Sequence, residues 1–237
     1  VTPTQQKLSA NLQAVEERLR AACARAGRDR AEVTLVAVTK STTVAIARLL
    51  PALGVADLAE SRPQELWHKA EALAGQTVRW HQIGHLQRNK VERTLPLVQL
   101  IHSVDSWRLL AAIEQECARS GRASVPVLLE VNVSREAQKH GLSPEDLSEL
   151  PARLTPLQHV RVHGLMTMAA QVDDVGACRP TFRELRELRE HWRGQLPPPH
   201  DLAQLSMGMS GDFEIAVEEG ATLVRLGSIL FEGLAGA

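Results

Sequence analysis

Val125-Pro126-Val127-Leu128-Leu129-Glu130-Val131-Asn132-Val133 is apolar almost without interruption, and so is Thr34-Leu35-Val36-Ala37-Val38-Thr39. A strand with one face in water alternates apolar and polar residues, whereas a strand covered on both faces does not need to, and such strands belong to parallel sheets. Working outward from these two runs, further strands are predicted at 55–59, 78–83, 99–103, 160–165, 202–206 and 223–226, beside 33–38 and 125–133. Helical spacing falls between them, as in Trp107–Arg119, Pro144–Arg153 and Val175–Arg193. Leu8, Leu12, Val15, Leu19 and Cys23 give an additional N-terminal helix, stopped by Gly27. Strand and helix alternating through eight strands predict a single α/β domain over 1–237, a closed (β/α)8 TIM barrel with that extra helix in front. An open doubly wound sheet would carry GxGxxG after its first strand, where this chain has Thr39-Lys40-Ser41. There is no internal repeat, and Pro197-Pro198-Pro199 reads as a rigid loop rather than a linker.

Charge excludes some functions. Lys plus Arg number 27 against 28 for Asp plus Glu, so the chain offers no basic footprint for nucleic acid or an anionic membrane. Its apolar runs are too short to span a bilayer. No basic flank precedes an apolar core at the N-terminus, and Cys23, Cys117 and Cys178 are scattered, as expected of reduced thiols in a cytoplasmic protein. Trp67, Trp80, Trp107 and Trp192 are too dispersed for a base-stacking platform. The charge-rich stretch Arg183–Arg193 reads as a solvated helix face.

Working groups in this kind of barrel stand at the C-terminal ends of the strands. The first strand ends at Lys40, and a lysine emerging from a buried strand is expected to be desolvated, which favours the neutral amine that Schiff-base formation requires. The loops after the seventh and eighth strands, where such barrels recurrently bind phosphate, read Ser206-Met207-Gly208-Met209-Ser210-Gly211 and Arg225-Leu226-Gly227-Ser228. Glycine and hydroxyl residues let backbone N–H groups approach an anion. Plainer readings make Ser210 the N-cap of a helix over 212–219 and Gly227 a loop residue. Arg225 would keep a pyridine nitrogen unprotonated, or would pair with a carboxylate such as Glu130; spacing does not choose between them. His81 and His85 lack the helix and the carboxylate of a zinc motif, so no metal is expected.

The motifs carry a resemblance. Leu35-Val36-Ala37-Val38-Thr39-Lys40, Trp80-His81-Gln82-Ile83-Gly84-His85-Leu86-Gln87-Arg88-Asn89-Lys90, Glu130-Val131-Asn132-Val133-Ser134 with Lys139-His140-Gly141, His163-Gly164-Leu165-Met166-Thr167-Met168 and Leu205-Ser206-Met207-Gly208-Met209-Ser210 are similar to stretches of the pyridoxal 5′-phosphate homeostasis proteins. So is the closing Val224-Arg225-Leu226-Gly227-Ser228-Ile229-Leu230-Phe231. That family looks like the barrel half of alanine racemase, the fold type III cofactor barrel. The resemblance implies pyridoxal 5′-phosphate held as a Schiff base on Lys40, with its phosphate at Ser206, Gly227 and Ser228. It further implies Arg225 at the pyridine nitrogen and Asn132 and Met166 around the ring. Two departures stand out. The family's Gly-Glu-Asn-Tyr after the second strand is Ala59-Glu60-Ser61-Arg62, and its closing Phe-Gly is Phe231-Glu232.

A two-base racemase needs a second proton-transfer group opposite the lysine. In the racemases this barrel resembles, that group is a tyrosine from another domain, and this chain has no tyrosine. The expectation is therefore a monomeric cytoplasmic carrier or buffer of the cofactor, passing it to apoenzymes, with no catalytic residue. A cofactor-dependent racemase, a Schiff-base lyase of the aldolase type and a regulatory module acting through a protein partner are the alternatives.

Overall fold

The computed structural model describes residues 1–122, 124–136, 138–169 and 175–234. Eight parallel strands close on themselves in chain order: β1 (Thr34–Val38), β2 (Asp57–Glu60), β3 (Arg79–Gln82), β4 (Val98–Val104), β5 (Val125–Glu130), β6 (Val160–Met166), β7 (Gln204–Ser206) and β8 (Leu223–Leu226). β8 returns to β1 with Val36 opposite Arg225 and Ala37 opposite Leu226. That closure removes every sheet edge. The (β/α)8 barrel expected from the apolar runs is the fold of the chain.

Two cores follow from it. Val36, Val38, Ala59, Leu100, Leu128, Met166 and Leu223 fill the barrel interior. The alternate residues, among them Ala37, Leu58, Ile101, Val127, Leu129 and Leu165, face outward and are covered by helices. Helix α5 (Trp107–Ser120) shows how the cover is made: Ser106 caps its start by accepting from Leu109 N–H, and Leu109, Leu110, Ile113 and Cys117 form its buried face. The N-terminal helix α1 (Pro3–Arg25) buries Leu8, Val15, Leu19, Ala22 and Cys23 and packs on α8 (Phe213–Glu218) and α9 (Ser228–Phe231). Among the described residues no helix is long and apolar enough to cross a membrane.

Boundaries move where local chemistry intervenes. The second strand starts at Asp57 instead of Val55, because Val55 N–H bonds back to Leu50 O across the left-handed Gly54. The fifth ends at Glu130 and not Val133: the chain beyond it pairs with Leu142 instead, through Glu130 O, Val131 and Asn132 N–H. The seventh starts at Gln204 rather than Leu202, whose φ is +47°. The helix expected over Pro144–Arg153 is a 3-10 stretch, Glu145–Glu149, followed by α6 (Leu150–Leu154), and the one from Val175 becomes α-helical only as α7 (Arg179–Trp192). Pro151 and Pro180 explain both, since proline has no N–H to give and fits a first turn only.

Candidate functional site

Lys40 follows directly on a fixed platform. Thr39 is fully buried; its N–H bonds to Ala59 O and its hydroxyl donates to Glu60 Oε1 at 2.6 Å. Lys69, from α3 (Pro63–Ala72), donates to Thr39 O and to Glu60 Oε1, both at 2.6 Å. The desolvated lysine is therefore Lys69, not Lys40. The Lys40 side chain is exposed, which corrects the expectation of burial, and its amine makes no hydrogen bond or ion pair among the described residues. It is an accessible amine on an immobile backbone.

Arg225 is 4 % exposed and lies inside the barrel, its Nη1 donating to Ser206 Oγ at 2.6 Å and its Nη2 to Thr167 O at 3.0 Å. Burial pulls its pKa down to about 10, with the Glu130 and Asp212 charges opposing. It makes no direct ion pair with Glu130 among the described residues, so that sequence alternative is not realised. Ser206 is also not where the phosphate reading needs it. It is fully buried, and its hydroxyl is engaged by Arg225 and by His102 Nδ1 at 2.7 Å.

Ser210 stands in the same loop, past Ser206. It does not cap α8, whose N-cap is Asp212; its Oγ instead accepts from Gly227 N–H at 3.3 Å and Ile229 N–H at 3.4 Å. These are long, weak bonds. The hydroxyl thus ties the loop after β7 to the loop after β8, where Ser228 is exposed. Gly208 makes the first loop turn: its φ is +92°, and a Cβ there would stand 2.6 Å from Ala216 Cβ. Gly227 backs onto β1, with a Cβ position 3.3 Å from Val38 O, so Lys40 and the second loop rise from adjacent strand ends.

Met166 is fully buried in the barrel interior at the end of β6. Asn132 spends its amide on the loop after β5, donating to Glu136 O at 2.9 Å and accepting from Ser134 Oγ at 3.3 Å. His81 and His85 diverge. His81 turns into the barrel, while His85 pairs with Asp105 at 2.6 Å and stacks on His140. His85, Asp105 and His140 place one ligand-type atom each within 4.8 Å of one another.

Glu130 ends β5 with 5 % exposure. Burial, with the Asp105 charge adding, pushes its carboxyl up to about 7 against the pull of Arg225 and His85. A carboxyl raised above its unfolded value keeps its proton better when folded, so stability falls as pH rises from about 4.5 through about 7. Glu130→Gln is expected to be about 3 kcal/mol more stable than the parent at pH 8 and equal to it near pH 4. Urea unfolding at the two pH values measures this, and the same difference at both would refute it.

With this geometry in hand, the relatives can be placed. The family model for the alanine racemase N-terminal domain matches residues 10–234. A pyridoxal phosphate homeostasis protein of Aquifex aeolicus is 41% identical over 222 residues, 93% of this chain and 95% of that one. The chain belongs to the pyridoxal phosphate homeostasis protein family. PipY of Synechococcus elongatus, solved with pyridoxal phosphate bound, is 34% identical, and the match covers 92% of this chain and 99% of PipY at a TM-score of 0.78. An alanine racemase of Clostridium difficile shares the fold at 16% identity and a TM-score of 0.73, and the match spans 55% of that enzyme. The barrel of the homeostasis family thus corresponds to about half of such a racemase.

Against the family pattern, Ser61 keeps its backbone in use. Its carbonyl accepts from Gln82 Nε2 at 3.1 Å, and Gly84 lies so close that a Cβ there would be 2.4 Å from Ser61 O. Arg62 is exposed. At the second departure, Glu232 follows α9 and its carbonyl accepts from Asn11, while Gly233 takes the left-handed turn one place later.

Proposed function

We propose that the chain holds pyridoxal 5′-phosphate at the C-terminal mouth of its barrel and serves cofactor homeostasis as a carrier, without turning over amino acids. The observation that carries this reading is the pairing of an unengaged, exposed amine at Lys40 with a buried guanidinium and two tied hydroxyl–glycine loops on the neighbouring strands. When bound, the cofactor supplies an aldehyde that a lysine amine can hold covalently and a ring nitrogen whose protonation sets its demand for electrons.

The residues fit that group. Gly227 and Ile229 N–H reach only a hydroxyl at 3.3 and 3.4 Å, and a phosphate oxygen is a far better acceptor for both. The phosphate role therefore moves from Ser206 to Ser210, beside Gly227 and Ser228. Arg225 has donors only, so it orients the ring nitrogen while leaving it without a proton, and Ser206 serves by holding Arg225. Met166 gives the apolar floor, and Asn132 fixes the loop beside it. Lys40 is the residue that holds the aldehyde.

The sequence has no tyrosine for a second proton transfer. Its thiols cannot replace one: Cys23, Cys117 and Cys178 are buried, and burial pushes the Cys117 thiol up to about 11. An exposed holding site suits delivery to cofactor-dependent apoenzymes by a cytoplasmic monomer. Loaded, desalted protein mixed with such an apoenzyme is expected to restore its activity. Racemisation or decarboxylation of an amino acid by the purified protein at about 1 s⁻¹ or faster would overturn the carrier reading.

A further inference from the structure

The barrel interior contains a polar thread that the site does not by itself require. From Arg225 it runs to Ser206 Oγ (2.6 Å), to His102 Nδ1 (2.7 Å), from His102 Nε2 to His81 Nδ1 (2.9 Å), and from His81 Nε2 to Asp57 Oδ1 (3.0 Å). Arg79 Nε closes it on the same carboxylate at 2.7 Å. Every member from Asp57 to Arg225 is buried. The thread crosses the barrel lengthwise: Asp57 and Arg79 open β2 and β3, while Ser206 closes β7. At its Asp57 end lies a cavity of about 360 Å³ lined by Thr34, Asp57, Arg79, His81, Arg161 and Leu223.

The two ends fix its sense. Guanidinium has donors only, so Ser206 Oγ must accept from Arg225 and give its own hydrogen to His102 Nδ1. A neutral His102 then carries its hydrogen on Nε2 and donates to His81 Nδ1. A neutral His81 likewise carries its hydrogen on Nε2 and donates to Asp57. Asp57 is acceptor-only: hydrogen bonds from His81 and Arg79 outweigh its burial and hold its carboxyl at about 2. Burial keeps His102 well below the ordinary imidazole range, with the charge of Arg225 adding to the effect. A further proton on either ring would leave the Ser206 hydroxyl without an acceptor beside Arg225. The sense of the whole thread is therefore single-valued.

We infer that Asp57, His81, His102 and Ser206 are positioning residues for Arg225, holding the direction of its guanidinium from the opposite mouth of the barrel. For its functional meaning this rests on Arg225 facing the cofactor's ring nitrogen, but the thread itself can be read in the protein alone.

The experiment is nitrogen-15 NMR of the histidine rings in the full chain without cofactor, for the parent and Asp57→Asn. In the parent, His81 and His102 are expected as neutral Nε2–H tautomers at pH 7. Either ring as Nδ1–H, or doubly protonated, would overturn the inference. An asparagine accepts from His81 more weakly than a carboxylate while Arg225 still sets the sense, so in Asp57→Asn both rings are expected to keep the Nε2–H tautomer, but the nitrogen signals of His102, which does not touch residue 57, are expected to move. Unmoved His102 signals in a variant with the parent's circular dichroism would also overturn it, because an aspartate that acts through the thread must be felt at that ring. Titration of both proteins with pyridoxal 5′-phosphate is the second readout, with several-fold weaker binding expected for Asp57→Asn and recovery in Asp57→Glu. Moved His102 signals with unchanged affinity support the thread and overturn the assignment of Arg225 to the ring nitrogen.

Discussion

Lys40→Ala is expected to leave a folded barrel that no longer captures pyridoxal 5′-phosphate covalently. The side chain is exposed and makes no contact that folding depends on, so the unfolding midpoint should stay within about 0.5 kcal/mol of the parent, as for ordinary surface substitutions. The cofactor readout should change completely. Borohydride treatment of loaded parent protein should leave the reduced adduct on the peptide carrying Lys40, and the variant should yield none. Noncovalent holding by Arg225 and the Ser210–Gly227 loops remains, so residual affinity at least about a hundredfold weaker is expected, equivalent to about 2.7 kcal/mol. Labelling at another lysine, or equal retention by the variant, would remove the amine from the site. Lys69 is the informative control, since it is 3 % exposed and should stay unlabelled.

The second large effect concerns that control residue. Lys69 and Glu60 form an ion pair at 2.6 Å with side-chain exposures of 4% and 0%. Glu60 Oε2 already has no hydrogen-bond partner among the described residues. Removing the ammonium strands a buried carboxylate, which typically costs about 3–5 kcal/mol. Lys69→Met is therefore expected to lower the urea midpoint severely, and Lys69→Met with Glu60→Gln to regain most of the loss by removing the charge that was stranded. The same lysine holds Thr39 O, so the single variant should also loosen the backbone that carries Lys40. Equal instability of the single and double variants would place the effect in packing rather than charge.

These two lysines show how far the sequence could be read. The strands were legible because burial on both faces leaves a one-dimensional record, as in Val125–Glu130. Direction away from the strand axis leaves none: Lys40 follows an apolar strand and Lys69 lies on an apolar helix face, yet only Lys69 is enclosed. A signal existed for Lys69, which lies three residues after Leu66 and six after Pro63 on the buried face of α3. The serines differ similarly. Ser206 is the last residue of a three-residue strand and points inward, while Ser210 stands in the loop that meets β8, and a motif containing both does not tell them apart. The His81–His102 contact had no local trace, because it depends on β3–β4 register, in which His81 faces Leu100 with an irregularity beside it.

Lys40 lies just past the end of the first strand and Gly227 just past the last, and they come together only because β8 closes onto β1. The two halves of the proposed site thus lie far apart in the sequence, and the site is complete only once β8 has closed onto β1. Closure over so long a separation comes late in the assembly of a parallel barrel. A ligand that reads both ends is recognising a finished molecule. Its binding also protects that molecule, adding about 2.7 kcal/mol when free ligand stands at a hundred times its dissociation constant. Under the proposed reading, barrels left empty by cofactor shortage are expected to unfold more readily than loaded ones.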